Sequence, residues 1–223
     1  MSGFPWRLVS FDIDGTLTDG HGWKFLAERT GQLARFEESN TRYRARELGE
    51  DAHLRDLLNL AAGLTVAEVE AILEVTPRVP GVKEVVAGLH DRGARVVLLS
   101  HNPEYVCAWY QRRFGFDDAE GTVATTFDGG RIAPYGPVHT GKVEGMHRLL
   151  ERAGVTAERA VHVGDGWADI PVFEAVGGGI ALNNASAVVR AAADRSLAPR
   201  NLTELLPVLE AMTPRPVKTG RPA

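Results

Sequence analysis

The stretch from Leu8 to Thr18, Leu-Val-Ser-Phe-Asp-Ile-Asp-Gly-Thr-Leu-Thr, constrains the rest of the chain more than any other. Leu8 to Phe11 is an apolar run of strand length that gives way at once to two carboxylates, Asp12 and Asp14, and the turn pair Gly15-Thr16. A strand that stops there carries both acids to its C-terminal end, where open α/β sheets bind ligands. Two carboxylates this close repel each other unless a cation lies between them. Mg²⁺ suits such a pair, because it takes one or two carboxylates, keeps waters and pairs with phosphate oxygens. With a phosphate so held, one Asp can attack phosphorus and the other can protonate the leaving oxygen. A Ca²⁺ loop of EF-hand type also begins Asp-x-Asp, but its glycine position is Leu17 here and its closing Glu position is Trp23. For this stretch alone, a solvated acidic turn stays open as the plainer reading.

Asp12-Ile-Asp-Gly-Thr-Leu-Thr18 resembles the first motif of the haloacid dehalogenase (HAD) superfamily of aspartate-nucleophile phosphatases. The resemblance implies a phosphoryl-transfer member, since true dehalogenases of that superfamily lack an acid at the place of Asp14. It also implies, further along, a phosphate-binding hydroxyl, a lysine and a second acidic cluster, in that order.

A chain of 223 residues can bury a core as one domain, or as one domain carrying a smaller insertion. Its net charge of −4 gives no reason to propose nucleic acid or an anionic membrane as partner. The N-terminus lacks an apolar core of signal-peptide type and no run is long enough to span a bilayer, so a cytoplasmic protein is expected. Cys107 is alone, which excludes an intramolecular disulfide; inside a predicted amphipathic helix it reads as a small hydrophobe. The Pro-rich, basic segment 213–223 reads as a disordered tail.

From about Gly20 to Pro80 every periodic run is helical: Phe25, Leu26, Leu33 and Phe36 recur at helical spacing, as do Leu54, Leu57, Leu58 and Ala61. Thr65-Val-Ala-Glu68 is a capping box for a further helix that stops at Thr76-Pro77. An α/β unit returns to its sheet far sooner, so residues 20–79 are expected to form an inserted helical cap. A helix to about Arg92 and a buried strand Ala94 to Leu99 follow, ending at Ser100-His101-Asn102. Pro103 is then expected at the first position of the next helix, with Asn102 or Ser100 as its cap. A helix start of this kind suits phosphate oxygens, and Ser100 matches the superfamily's hydroxyl motif. Asp128-Gly129-Gly130 marks a hairpin. Gly136-Pro-Val-His-Thr-Gly-Lys142 nearly spells a P-loop, but Val143 stands where Ser or Thr is needed and no buried strand precedes it. The resemblance instead makes Lys142 the superfamily's lysine, opening a helix to about Ala153. The strand Ala160 to Val163 runs into Gly164-Asp-Gly-Trp-Ala-Asp169, the fourth motif, which implies Asp165 as metal ligand and Asp169 as its support.

The expected fold is α/β: a doubly wound parallel (Rossmann-like) sheet, residues 1–19 and 80–212, with a small helical cap, residues 20–79, inserted between the first and second motifs. A cap in that place resembles the phosphoserine-phosphatase-like branch. The substrate-reading positions depart from it: His21 stands where that branch has Glu, Ala61 where it has a carboxylate-clamping Arg, and Ala168 where it has Asn. The resemblance implies a Mg²⁺-dependent phosphomonoesterase acting on a small-molecule phosphate ester. Asp12 is then nucleophile, Asp14 acid and base, and Asp12, Asp165 and the Asp14 carbonyl the metal ligands. Ser100, His101 and Lys142 bind the phosphoryl group, and His21 and Trp23 read the substrate. Transfer of the phosphoryl group to an alcohol, phosphoserine hydrolysis proper and a catalytically silent binding protein are the alternatives. Arg35, Arg42, Arg44, Arg46 and Arg55 read as a solvated cap face.

Overall fold

The computed structural model describes residues 3–138, 141–183 and 185–217. His139 and Thr140 of the P-loop-like stretch, and residues 218–223 of the expected tail, lie outside the described residues. The strands are β1 (Leu8–Phe11), β2 (Arg95–Pro103), β3 (Asp118–Val123), β4 (Phe127–Asp128), β5 (Arg131–Ile132), β6 (Ala160–Gly164), β7 (Gly178–Leu182) and β8 (Arg195–Leu197). Between β1 and β2 lie α1 (Gly22–Arg29), α2 (Leu33–Arg44), α3 (Glu50–Leu58), α4 (Val66–Val75) and α5 (Val82–His90). The later helices are α6 (Glu104–Phe114), α7 (Lys142–Ala153), α8 (Ile170–Ala175), α9 (Ala187–Ala192) and α10 (Leu205–Ala211).

Six strands form one parallel sheet in the order β3-β2-β1-β6-β7-β8. Phe11 of β1 lies level with Leu98 of β2 and with Val163 of β6, so the C-terminal ends of these three strands form one lip. The chain order reverses on either side of β1, and such a switch point is where a parallel sheet opens a crevice. Strand alternation sorts the side chains: Val9, Phe11, Val96, Leu98, Val161 and Val163 join the apolar cluster that includes residues of α5, α6 and α10. Leu8, Val97, Leu99 and Ala160 pack with Met146, Leu149 and Leu150 of α7 and Val172 of α8. Alternation puts Ser10 and His162 on this second face, where both are fully buried and their Oγ and Nδ1 lie 2.7 Å apart.

Two expectations need correction. β2 does not stop before Pro103 but continues through it, with a register shift against β3 between Ser100 and Pro103. Pro103 is therefore the extended residue preceding α6, and neither Ser100 nor Asn102 caps that helix, because the Asn102 side chain turns into the lip instead. β3 is a strand that the sequence reading passed over. Its acidic residues look like loop, yet on the sheet edge Asp118 and Glu120 pair with Arg152 and Arg148 of α7. Gly121 lets it approach β2, where a Cβ would stand 2.8 Å from the Asn102 carbonyl oxygen. The hairpin forms at Asp128-Gly129-Gly130, with both glycines left-handed at φ 55° and 78° as a two-residue turn demands.

The four helices α1 to α4 leave the sheet through a narrow stem. Thr18 bridges Arg78, the Asp19 amide donates to the Pro77 carbonyl, and the Val79 amide donates to the Leu17 carbonyl. The β4–β5 hairpin props the same insertion through Gly63 and Leu64, each exchanging a 2.8 Å backbone bond with Ile132. α4 opens with the expected capping box, Thr65 with Glu68, and meets α6 through Arg112–Glu70 and Arg113–Glu74. Arg215, within the segment read as disordered, is anchored: its amide donates to the Gly177 carbonyl, and its guanidinium reaches Asp194 and the Phe173 carbonyl. No helix among the described residues is long and apolar enough to cross a membrane.

Candidate active site

Above the lip, closed over by α1 to α3, is a cavity of about 240 Å³. Asp12, Asp14, His21, Trp23, Ser100, His101, Lys142, Asp165 and Asp169 all line it, so the residues given catalytic, metal, phosphate or substrate roles from the sequence fall in one place. Its phosphoryl-sized end is built on a buried chain of charge. Lys142, the first residue of α7, lies 3.1 Å from Asp12 Oδ1 and 2.5 Å from Asp169 Oδ1. His162 Nε2 reaches that same Asp169 oxygen at 2.8 Å, and the other, Oδ2, accepts the amides of Asp165 and Gly166.

Burial alone would raise the Asp169 carboxyl, but the Lys142 ammonium and His162 hold it well below the usual carboxylate range. For Lys142 burial works the opposite way and is outweighed by Asp12 and Asp169, which keep it protonated. Asp12 and Asp165 are not compensated in this way. Burial outweighs Lys142 and raises Asp12, while burial and the charges of Asp12 and Asp169 push Asp165 up to about 8. Asp12, Asp165 and Asp169 each offer a carboxylate oxygen within 4.8 Å of the others. One buried ammonium facing three carboxylates leaves a deficit of positive charge that a divalent cation fits. Asp169 has no oxygen to spare, so Asp12 and Asp165 are the side chains able to ligate.

Gly15 shapes this spot: its φ is +77°, and a Cβ there would lie 2.2 Å from Asp165 Oδ2. Thr16 Oγ1 donates to Asp165 Oδ1, and Asn183 Nδ2 donates to the Gly15 carbonyl, fixing the loop that carries Asp14. The Asp14 carboxylate faces away from the cluster. Oδ1 accepts the Gly22 amide at the start of α1 at 2.7 Å, and Oδ2 accepts Asn102 Nδ2 at 2.7 Å. Asn102 also donates to Ser100 Oγ, which leaves the Ser100 hydrogen free to point at a phosphoryl oxygen. His101 is pushed down to about 4 by burial and Lys142, and its buried Nε2 has no hydrogen-bond partner among the described residues. Cys107 is buried at 1% exposure and its thiol is pushed far up by burial, as expected of a structural cysteine.

The sequence reading missed Asn102, His162, Tyr43, Glu50 and His53. Tyr43, Glu50 and His53 line the cavity from α2 and α3, and no local signal marks them. Ala61, expected in place of a clamping arginine, is fully buried away from the cavity. None of Arg35, Arg42, Arg44, Arg46 and Arg55 lines it. Arg35 bonds Gln32, Arg55 pairs with Asp56, and Arg46 lies over the Trp167 ring at 5.5 Å, at the cavity's edge.

The model of the haloacid dehalogenase-like hydrolases matches residues 6–177. The phosphoserine phosphatase of Halobacterium salinarum is 31% identical over 188 residues, covering 79% of this chain and 85% of the relative. That of Archaeoglobus fulgidus is 29% identical over 215 residues, 92% of this chain but 60% of the relative's own length. A phosphoserine phosphatase solved as a phospho-aspartyl intermediate analogue superposes with a TM-score of 0.77 at 23% identity, over 91% of this chain and 98% of that one. A HAD family hydrolase from Salmonella enterica serovar Typhi gives a TM-score of 0.83 at 20% identity, over 93% of this chain and 73% of that one. Motifs, sheet and relatives agree: the chain belongs to the haloacid dehalogenase-like hydrolase family, in the phosphoserine-phosphatase-like branch of its phosphatases.

Proposed function

We propose that this chain hydrolyses a small phosphomonoester through a phosphorylated Asp12, with Mg²⁺ held by Asp12, Asp165 and the Asp14 backbone carbonyl. The observation that carries the reading is the buried sequence Asp12, Lys142, Asp169, His162, in which the Lys142 ammonium is held between Asp12 Oδ1 and Asp169 Oδ1 while the Asp12 carboxylate lines the cavity. Asp12 attacks phosphorus as the alcohol leaves, and Asp14, fixed by Gly22 and Asn102, gives the leaving oxygen its proton. Asp14 then takes a proton from the water that opens the acyl phosphate. Ser100 and Lys142 donate to the phosphoryl oxygens, Lys142 moving no proton, and His101 closes the wall beside them. When bound, the ion supplies charge neutralisation shared by the two carboxylates and the phosphoryl oxygens. The geometry supports positioning and electrostatics as the main sources of rate.

A second reading, hydrolysis of phosphoserine itself, is favoured by the names of the relatives. Against it stands the cavity lining, where among the described residues no arginine or second lysine awaits a carboxylate. The test of the main reading is turnover of p-nitrophenyl phosphate with Mg²⁺. Asp12→Asn is expected to fold and to lose at least about a hundredfold in kcat, since an amide is neither the nucleophile nor a good ligand. Retention of a tenth or more of the activity would put the nucleophile elsewhere.

A further inference from the structure

Beyond the phosphoryl end the cavity has a second half that the reaction as drawn does not use. Its wall is Tyr43, Glu50 and His53 from α2 and α3, faced by Trp167 of the fourth-motif loop. His53 shows what this wall wants. Ser39 Oγ donates its single hydrogen to Asp56 Oδ2 at 3.0 Å, so its oxygen can only accept from His53 Nδ1, also 3.0 Å away. The imidazole, held neutral near pH 7 by burial, which pulls it down to about 4, thus keeps its Nε2 as a bare acceptor. The residue is 8% exposed, and its Nε2 has no partner among the described residues.

The Tyr43 ring lies flat on His53, centroids 4.3 Å apart and planes at 5°. Glu50, in the first turn of α3, has as its ion-pair partner among the described residues His101 Nδ1, 3.9 Å off, and burial and Lys142 hold that imidazole neutral at pH 7 as well. The cavity's lysine, Lys142, is committed to Asp12 and Asp169. A carboxylate, two neutral imidazoles and aromatic faces make an acceptor-rich, electronegative wall. A protonated amine complements it, donating to Glu50 and His53 while resting against an aromatic face. A substrate carboxylate would meet Glu50 with no uncommitted arginine or lysine lining the cavity among the described residues, Arg46 being stacked on Trp167 at its edge, to offset the repulsion or the loss of water.

Resting on the phosphatase reading above, we infer that the leaving group of the substrate is an amino alcohol or amino sugar without a carboxylate, its ammonium seated between Glu50 and His53 Nε2. Glu50 is on this account a specificity-determining residue, acting on the part of the substrate remote from phosphorus.

The experiment compares kcat/KM within matched pairs at pH 7: O-phosphoethanolamine against glycerol 3-phosphate, and glucosamine 6-phosphate against glucose 6-phosphate, with O-phosphoserine alongside. The amine of at least one pair is expected to lead its neutral partner, and to lead phosphoserine, by about tenfold or more, the range of a desolvated cation site. In Glu50→Gln that ratio should fall to within about threefold of one, the change residing mainly in KM. Ratios near one in both pairs of the native enzyme, phosphoserine as the best substrate, or a preference that survives in Glu50→Gln would each overturn the inference. Mg²⁺-dependent turnover of p-nitrophenyl phosphate, which carries no amine, is measured beside them. Its absence would overturn the phosphatase reading itself, whereas its presence with no amine preference overturns the inference alone.

Discussion

Both oxygens of Asp169 are occupied, one by Lys142 and His162 and the other by two backbone amides, so this residue works by immobility. It fixes the Lys142 ammonium 3.1 Å from Asp12, beside Asp165, the other carboxylate proposed to hold an ion. Gly15 makes room for that carboxylate. Gly15→Ala would force a Cβ into Asp165 Oδ2, 2.2 Å away, at a φ of +77° that an alanine adopts with strain. The Mg²⁺ concentration for half-maximal activity is expected to rise about tenfold or more, as when the support of a metal ligand is lost, and a Mg²⁺ titration of initial rates measures it. His53 gives a prediction of a different kind. Its folded-state pKa, about 4, lies below the ordinary 6.5, so the folded chain binds fewer protons than the unfolded one between these values. Its contribution to stability is whole above about pH 6.5 and is lost as pH falls toward about 4. His53→Asn, which can still donate to Ser39, should flatten that part of a melting-temperature profile against pH; an unchanged slope would show that another group drives it.

At the scale of elements, what could be read from the sequence was whatever each segment announces by itself. β1 is an apolar run ending in acids, and α4 opens on Thr65 and Glu68, which bond each other's backbone as their spacing foretold. Thr65→Ala removes the side chain that accepts the Glu68 amide and should lower the melting temperature by about 2–4 °C, the ordinary cost of a lost N-cap in a chain of this size. Thr65→Ser should restore it. Scanning calorimetry of the two variants checks both. Harder to read was anything whose meaning depends on a neighbour distant in the chain. Asn102 looked like a helix cap, but Asp14, 88 residues earlier, lies within 2.7 Å and wins its side chain. His162 is the single polar side chain of an otherwise apolar strand and carries no signal of its own. Only the parallel register of β1 and β6 sets Ser10 opposite it, and only the turn after β6 folds Asp169 back onto it. β3 was hidden because its acids are satisfied by arginines of α7, a later helix, rather than by solvent. Glu50, Tyr43 and His53 carry no motif at all; the packing of α2 on α3 assembles them.

For the whole molecule, the placing of the ties on the helical insertion is unequal. The stem at Thr18 and Arg78, the hairpin contact at Ile132 and the α4–α6 ion pairs all hold it by the α1 and α4 side or by the end of α3. The corner between α2 and α3 meets the fourth-motif loop through side chains, chiefly the Arg46 guanidinium over Trp167. Arg46 is one of two non-glycine residues among those described with positive φ, at 60°, a conformation that stores backbone strain at that corner. Among the described residues this stacked pair ties the α2–α3 corner to the fourth-motif loop, and traffic of substrate and product is expected to pass beneath it. Trp167, 48% exposed, can report that traffic by its own light. Addition of beryllium fluoride with Mg²⁺ should change the indole emission in the native protein and in Trp23→Phe, which lacks the cavity's other indole, the change should be much smaller in Trp167→Phe, and Arg46→Ala should make it faster in a stopped-flow record. If this contact sets the pace, the clock of this enzyme sits in a stacked arginine at the rim, some distance from any atom that reacts.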